Sequence, residues 1–295
     1  MEDPLGQGPA CHTRGVLFEE FSRRWRSSLA GVAEVADFGS VSEGQYTYPL
    51  LSATSPGGDG ETGPWVLITA GFHGDEKSGP LTLLEHAPAI VAYARARGVG
   101  LRLYPCINPS GFEAHIRYNV SGERPNNDFL HYEIAPGIWK GELRTGQSFV
   151  RCEPSLAAAK ETLALRNELG RYPVPAAALD LHQDNFIHGA LFYAYSFGDR
   201  TGIRPLMARS GALVPIMRSS IVDSGYEPGT DVLADEEGII ECHDGSITDR
   251  YYRAGSRYVA AIETTTETPK DLADAINLIW IHGFIDLVAA KTPLA

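Results

Sequence analysis

Histidine and carboxylate side chains fall at three places in this sequence where short apolar runs end. WVLITA at 65–70 leads into Gly71-Phe72-His73-Gly74-Asp75-Glu76, AAALD at 176–180 into Leu181-His182, and RYVAAI at 257–262 into Glu263. Two imidazoles and a carboxylate, with one position open for water, are the donor set of a catalytic zinc. His73 and Glu76, three apart on a tight turn, can reach one ion from the same side, and Gly71 and Gly74 let the backbone fold closely around it. His182 closes the site from a neighbouring strand end. Glu263 then stays off the metal and acts on the bound water, whose pKa zinc lowers to about 7, so that a carboxylate can shuttle its proton. Glu267 competes for that role. Glu263 is preferred because it follows the apolar run directly, whereas Glu267 sits just before a helix start. A lone H-x-x-E is common by chance, so the argument rests on order and placement.

Such a site needs strands whose carboxyl ends converge, as they do in an open α/β sheet. The chain has the matching alternation. Phe18, Phe21, Trp25 and Leu29 predict a helix over 16–30. A turn cluster fills 52–63, and a buried strand follows at 65–70. The next helix is capped by Ser78, has Pro80 in its first turn and stops at Gly98 and Gly100; Pro88 should kink or split it. A strand at 101–106 runs into the turn Asn108-Pro109-Ser110-Gly111. Residues 112–152 read as irregular, and so long a stretch in a compact enzyme carries function. A helix over 155–170, strands at 176–182 and 191–195, a helix over 203–211 and a strand at 257–262 follow. The final helix opens on Thr268, Pro269 and Asp271, and its apolar face runs through Ile276, Ile279, Trp280 and Leu287. This pattern predicts a single three-layer α/β/α domain over 16–295 around a mixed, mostly parallel sheet, preceded by a flexible arm at 1–15.

Composition narrows the function. Of 295 residues, 43% are hydrophobic and 21% charged, which excludes a disordered chain. A net charge of −12 argues against a nucleic-acid partner. No apolar run approaches the roughly 18 residues of a membrane span, and the polar N-terminus lacks a secretory h-region. Cys11, Cys106, Cys152 and Cys242 are widely spaced, as in a reduced cytoplasmic protein.

Taken in order, these segments resemble the zinc carboxypeptidase superfamily, which includes the aspartoacylase and succinylglutamate desuccinylase branch. The likeness spans roughly Trp65 to Pro269: HGDE at 73–76, NPSG at 108–111, Arg117, NNDF at 126–129, DLH at 180–182, GSI at 245–247 and Glu263. It implies His73, Glu76 and His182 as zinc ligands, with Glu263 as general base and then general acid. It implies Arg117 as the cation that polarises the scissile carbonyl and stabilises the oxyanion, and Asn126 as a contact to a substrate carboxylate. Asp180, two before His182 on an extended strand, shares its face and is either a support for the site or a carboxylate satisfied by backbone.

Two positions depart from the family pattern. Asn127 stands where the carboxypeptidases have an arginine for the substrate carboxylate, and an amide cannot replace a guanidinium fork. Arg124, or less readily Arg144 or Arg151, is the candidate substitute; a solvated surface arginine is the alternative for each. The family's substrate tyrosine before GSI is also missing from 238–243; Tyr226, Glu241 and His243 are nearby candidates. Ile247 resembles the base of the side-chain pocket and would favour an apolar group. His115 and His188 flank the motifs and are more readily structural than substrate contacts, while His12, His86 and His282 read as incidental. The expected function is amide hydrolysis, by a peptidase acting on a small peptide. The alternatives are a deacylase of N-acyl amino acids and a non-catalytic metal- or ligand-binding relative.

Overall fold

The structure is a computed structural model that describes residues 16–57, 63–143, 146–223 and 232–290. The expected arm at 1–15, together with Arg144 and Tyr226, lies outside the described residues. The chain runs α1 (Val16–Leu29), β1 (Glu34–Glu43), β2 (Tyr46–Ser55), β3 (Trp65–Ala70), α2 (Ser78–Arg95), β4 (Gly100–Tyr104) and α3 (Pro109–Ala114). It continues with β5 (Leu130–Ala135), β6 (Ile138–Lys140), β7 (Arg151–Pro154), α4 (Lys160–Leu169), β8 (Ala177–Asp184), β9 (Phe192–Ser196) and α5 (Arg204–Gly211). The last elements are β10 (Ser220–Asp223), β11 (Val232–Ala234), β12 (Ile239–Ile240), α6 (Ile247–Ala254), β13 (Tyr258–Thr265) and α7 (Lys270–Ala289).

Eight strands form one sheet in the order β1-β2-β4-β3-β8-β13-β9-β12. Its centre, β4-β3-β8-β13, is parallel; β1, β2 and β9 add antiparallel pairings. Alternation along the strands divides the side chains between two layers. Val66, Ile68, Leu179, Leu181, Ala260 and Ile262 join the larger core under α1, α2, α5 and α7. Leu67, Ala178 and Val259 point the other way, into a smaller core with Leu165 and Leu169 of α4 and Ile247 and Tyr251 of α6. The expected three-layer architecture is present. Phe18, Phe21, Trp25 and Leu29 of α1 are all buried, as their spacing predicted.

The structure differs from expectation in several elements. The β1–β2 hairpin was not anticipated. Its two-residue link, Gly44-Gln45, has Gly44 at φ 60°, the hairpin geometry that glycine favours. Residues 112–152 are not irregular throughout, since they contain β5 and β6, which with β7 form a separate sheet in the order β6-β5-β7. Pro88 does not split α2, which is continuous over Ser78–Arg95. Ser78 is not its cap: Lys77 holds that position, and the Ser78 amide donates to Gln183 Oε1 at 2.8 Å. Nor does Thr268 cap α7, which starts after Pro269 with no side-chain cap; the Thr268 hydroxyl bonds that of Thr265 instead. Over its 20 residues α7 is long and apolar enough to cross a membrane by length and composition, contrary to the sequence estimate. Its apolar side chains Ile276, Trp280, Phe284 and Ile285 are buried in the larger core, which makes it a core helix here.

Candidate metal centre and cleft

The three expected ligands meet. His73, Glu76 and His182 are all buried, and one donor atom from each lies within 4.8 Å of the others. Glu76 Oε1 is 2.7 Å from His73 Nδ1, and Glu76 Oε2 is 2.7 Å from His182 Nδ1. On the other side of the His182 ring, Nε2 is 2.7 Å from Asp180 Oδ2. Asp180 is itself held by Thr69, whose hydroxyl donates to Oδ1 at 2.8 Å. An Nε2–H donated to Asp180 leaves Nδ1, on the Glu76 side of the ring, as the atom that a cation shared with Glu76 would engage. The donor set fits a divalent ion with nitrogen and carboxylate preferences.

Local folding explains the convergence. The loop between β3 and α2 can bend tightly because Gly74 has no Cβ: one placed there would sit 1.9 Å from the backbone carbon of Gly111. The Gly74 amide instead donates to Arg117 O at 3.0 Å. Asn108 of the NPSG turn ties the same pieces together. Its Oδ1 accepts from the Gly111 amide at 2.9 Å, and its Nδ2 donates to Phe72 O and Arg117 O, both at 3.2 Å. His182 and Glu263 are register partners on β8 and β13, as are Asp180 and Ala261. All four point to the α4–α6 side of the sheet, opposite the apolar partners that anchor each strand.

A cleft of about 720 Å³ opens over this face. His73, His182, Asp180, Glu263, Arg117, Arg124, Asn126 and Asn127 all line it. Glu263 Oε2 is buried and has no hydrogen-bond partner. Burial lifts the Glu263 carboxyl well above the usual range; His182 and Arg117 oppose that rise, while Glu76 and Asp184 add to it. Burial acts in the same sense on Glu76, but His73 and His182 hold its carboxyl far below the usual range. Burial pushes the His73 imidazole down despite the pull of Glu76, and pushes His182 down as well, where Asp180 and Glu76 override it and lift the group well above its ordinary value. Arg117 donates from Nη1 to Glu76 Oε1 at 2.7 Å while keeping 29% of its side chain exposed. A fixed cation thus stands at the cleft wall.

Other expected residues divide. Asn126 is buried at φ 111°, strained for a residue with a side chain, and its Oδ1 has no partner. Asn127 gives its amide to Asp244, with Nδ2 2.6 Å from Oδ2. Arg124 lies over the Tyr118 ring at 4.8 Å. Ile247 is not at the base of the cleft. Ser246 caps α6, so Ile247 opens the helix facing the smaller core at 1% exposure, and Ser246 and Thr248 line the cleft in its place. Arg151 pairs with Glu133 and Glu153, and Glu267 with His188, none of them lining the cleft. His115 ends α3 in the left-handed region. His243 stacks on Phe197 and accompanies Glu241 around a second cavity of about 460 Å³.

Two cleft residues escaped the sequence reading. Tyr195 of β9 pairs with Ala261 and lines the cleft, so a tyrosine is present, but from a strand earlier in the chain than the family pattern suggests. Its period-two relation to Tyr193 was the available signal. Asp244, directly before GSI, carried no signal that separated it from an ordinary turn aspartate.

No protein-family model matches the sequence, and no curated protein matches it. Solved structures do share the fold. A provisionally assigned metallopeptidase from Shewanella amazonensis superposes with a TM-score of 0.65 at 22% identity, covering 95% of each chain. A metallo-carboxypeptidase from Burkholderia cenocepacia gives 0.62 at 13% identity, over 93% of this chain and 70% of that one. Bovine thrombin-activatable fibrinolysis inhibitor, in complex with tick carboxypeptidase inhibitor, gives 0.60 at 16% identity, over 95% and 98%. The carboxypeptidase-like fold expected from the motifs is therefore shown.

Proposed function

We propose that this chain is a zinc-dependent hydrolase of amide bonds that acts on a small peptide or peptide-like substrate. The observation that carries this reading is the donor set of His73, Glu76 and His182 at a cleft that His73, His182 and Glu263, with its unpartnered Oε2, line together. A zinc ion held by these three residues would polarise a scissile carbonyl and lower the pKa of water to about 7. Glu263 holds and releases a proton at Oε2, the atom no other group engages. Arg117 supplies positive charge against the negative charge that develops on the carbonyl oxygen. Asp180 fixes the His182 ring by accepting its Nε2 proton. The wide spacing of the four cysteines supports placement in the cytoplasm.

A deacylase acting on N-acyl amino acids is the second reading. What favours it is Asn127, which is bound to Asp244 where a carboxypeptidase offers arginine to the substrate terminus. Assays of zinc-loaded protein on small peptides and on N-acyl amino acids separate the two. Turnover of N-acyl compounds alone rejects the peptidase. Glu263→Gln should keep its zinc and lose activity by about 100- to 10,000-fold. His73→Ala should lose zinc by elemental analysis. Near-normal turnover in the first variant, or full occupancy in the second, rejects the assigned roles.

A further inference from the structure

Asp244 changes the character of the cleft where a carboxylate-binding arginine was expected. Its side chain is held by a built turn: Oδ1 accepts from the Ser246 amide at 3.0 Å, and Oδ2 from Asn127 Nδ2 at 2.6 Å. Gly245, next in the chain, sits at φ 72°, and its carbonyl accepts from the Phe129 and Leu130 amides at 2.9 and 3.2 Å. The carboxylate therefore cannot swing away. Both of these partners are neutral donors, and among the described residues no arginine, lysine or histidine forms an ion pair with it. Asn126, next to Asn127 in the chain, is 7% exposed; its Oδ1 is unpartnered, and the residue lines the same cleft. Glu142 adds a second carboxylate to the lining. These groups are acceptors, and they call for a donor.

A substrate carboxylate at this place would face Asp244, with the Asn127 amide already committed. Like charges at close range in a cleft repel, and Asn127 offers no guanidinium to offset that. A cationic nitrogen would give the opposite result. It would pair with a half-buried carboxylate and use its free lone pairs by charge-assisted hydrogen bonds, in a cleft that Asn126, with its unpartnered oxygen, also lines.

We propose that Asp244, with Asn127 holding it and Asn126 beside it, is the specificity-determining subsite for a cationic group on the substrate, a primary ammonium or a guanidinium. The inference rests on the hydrolase reading for its place in a reaction, but its test is a binding measurement that does not depend on turnover. Burial pushes the Asp244 carboxyl up to about 6, so the group is ionised at neutral pH and available to a cation.

The test is calorimetric titration of the zinc-loaded protein with the C-terminal amides of N-acetyl-glycyl-lysine, -arginine, -norleucine and -glutamate; the acetyl and amide groups remove the competing terminal ammonium and carboxylate. Wild type should bind the lysine or arginine peptide at least about tenfold tighter than norleucine, with glutamate weakest, as expected for one charge-assisted contact. Asp244→Asn, which keeps an acceptor for the Ser246 amide, should erase that preference. Equal binding of lysine, arginine and norleucine by wild type, tighter binding of glutamate, or no binding of either cationic peptide at millimolar concentration overturns the proposal. Retention of the preference in Asp244→Asn overturns it as well. The wild-type comparison stands alone if the variant fails to fold. Cationic selectivity without hydrolysis of any amide would reject the hydrolase reading and leave the subsite intact.

Discussion

Glu161 gives a quantitative handle on how the wall behind the cleft is built. It lies in the first turn of α4 with no exposed surface, and Asn119 Nδ2 donates to its two oxygens at 3.2 and 3.0 Å. Burial lifts its carboxyl from 4.5 to about 7; its own backbone amide, Asn119 and Lys160 oppose the rise, and Glu123 adds to it. The native state therefore holds a proton that the unfolded chain releases. Between pH 4.5 and 7 the folded form binds more protons than the unfolded form, so stability falls as pH rises through that window. A shift of this size corresponds to about 3 kcal/mol, fully present below the unfolded pKa and lost above the folded one. Glu161→Gln imitates the protonated side chain and removes the dependence. For 295 residues the unfolding entropy scales to about 0.6 kcal/mol per degree, so about 3 kcal/mol is a gap of about 5 °C. Scanning calorimetry of zinc-loaded wild type and variant at pH 5 and pH 8 measures it. At pH 5 the unfolded carboxyl is already largely ionised, so about 2.5 kcal/mol separates the two conditions and the variant should gain about 4 °C relative to wild type, whatever its constant offset. A gap that stays fixed within about 1 °C, or that moves the other way, would refute the reasoning.

Two further outcomes follow from the metal loop. Asp180→Asn should weaken zinc affinity by about 10- to 100-fold, because the amide no longer fixes the His182 tautomer; competition with a chromophoric chelator reads this directly, and unchanged affinity would separate Asp180 from the site. Gly74→Ala places a Cβ 1.9 Å from the Gly111 backbone, so the loop must move; zinc content should fall although no ligand has been changed, and full occupancy would show that the close approach is not required.

The parts of the site that were legible in the sequence are those tied to strand periodicity. An apolar run buried on both faces ends where the layer above it ends, so His73, His182 and Glu263 had to emerge at one edge once three such runs were parallel neighbours. Asp180 was open to two readings for the same reason: period two places it on the face of His182 but does not say what it bonds. The β1–β2 hairpin was hidden because β1 alternates poorly and is mostly exposed or half-buried, leaving little apolar signal. Strands β5, β6 and β7 are three to six residues long and lie outside the main sheet. Their pairing is set by tertiary contacts that local patterning cannot carry. Ile247 was misplaced by one residue of helix phase: the Ser246 cap decides which side chains of the first turn face the cleft. Asp244 and Asn127 are 117 positions apart, and only the fold brings an amide and a carboxylate together.

The position of β13 in the sheet has a consequence for how the protein is made. This strand lies between β8 and β9, although both precede it in the chain. Until residues 258–265 leave the ribosome, β8 and β9 each keep an open edge on the side that β13 will fill. The nascent chain can complete its hairpins and early helices but not the centre of its sheet. Glu263 arrives on the strand that closes the gap, so the last step of sheet assembly is also the step that brings this carboxyl beside His182. A partly synthesised chain could then bring His73, Glu76 and His182 together before Glu263 joins them. Its exposed central edges are the reason to expect a late demand for chaperones, concentrated in the interval before residue 258 emerges.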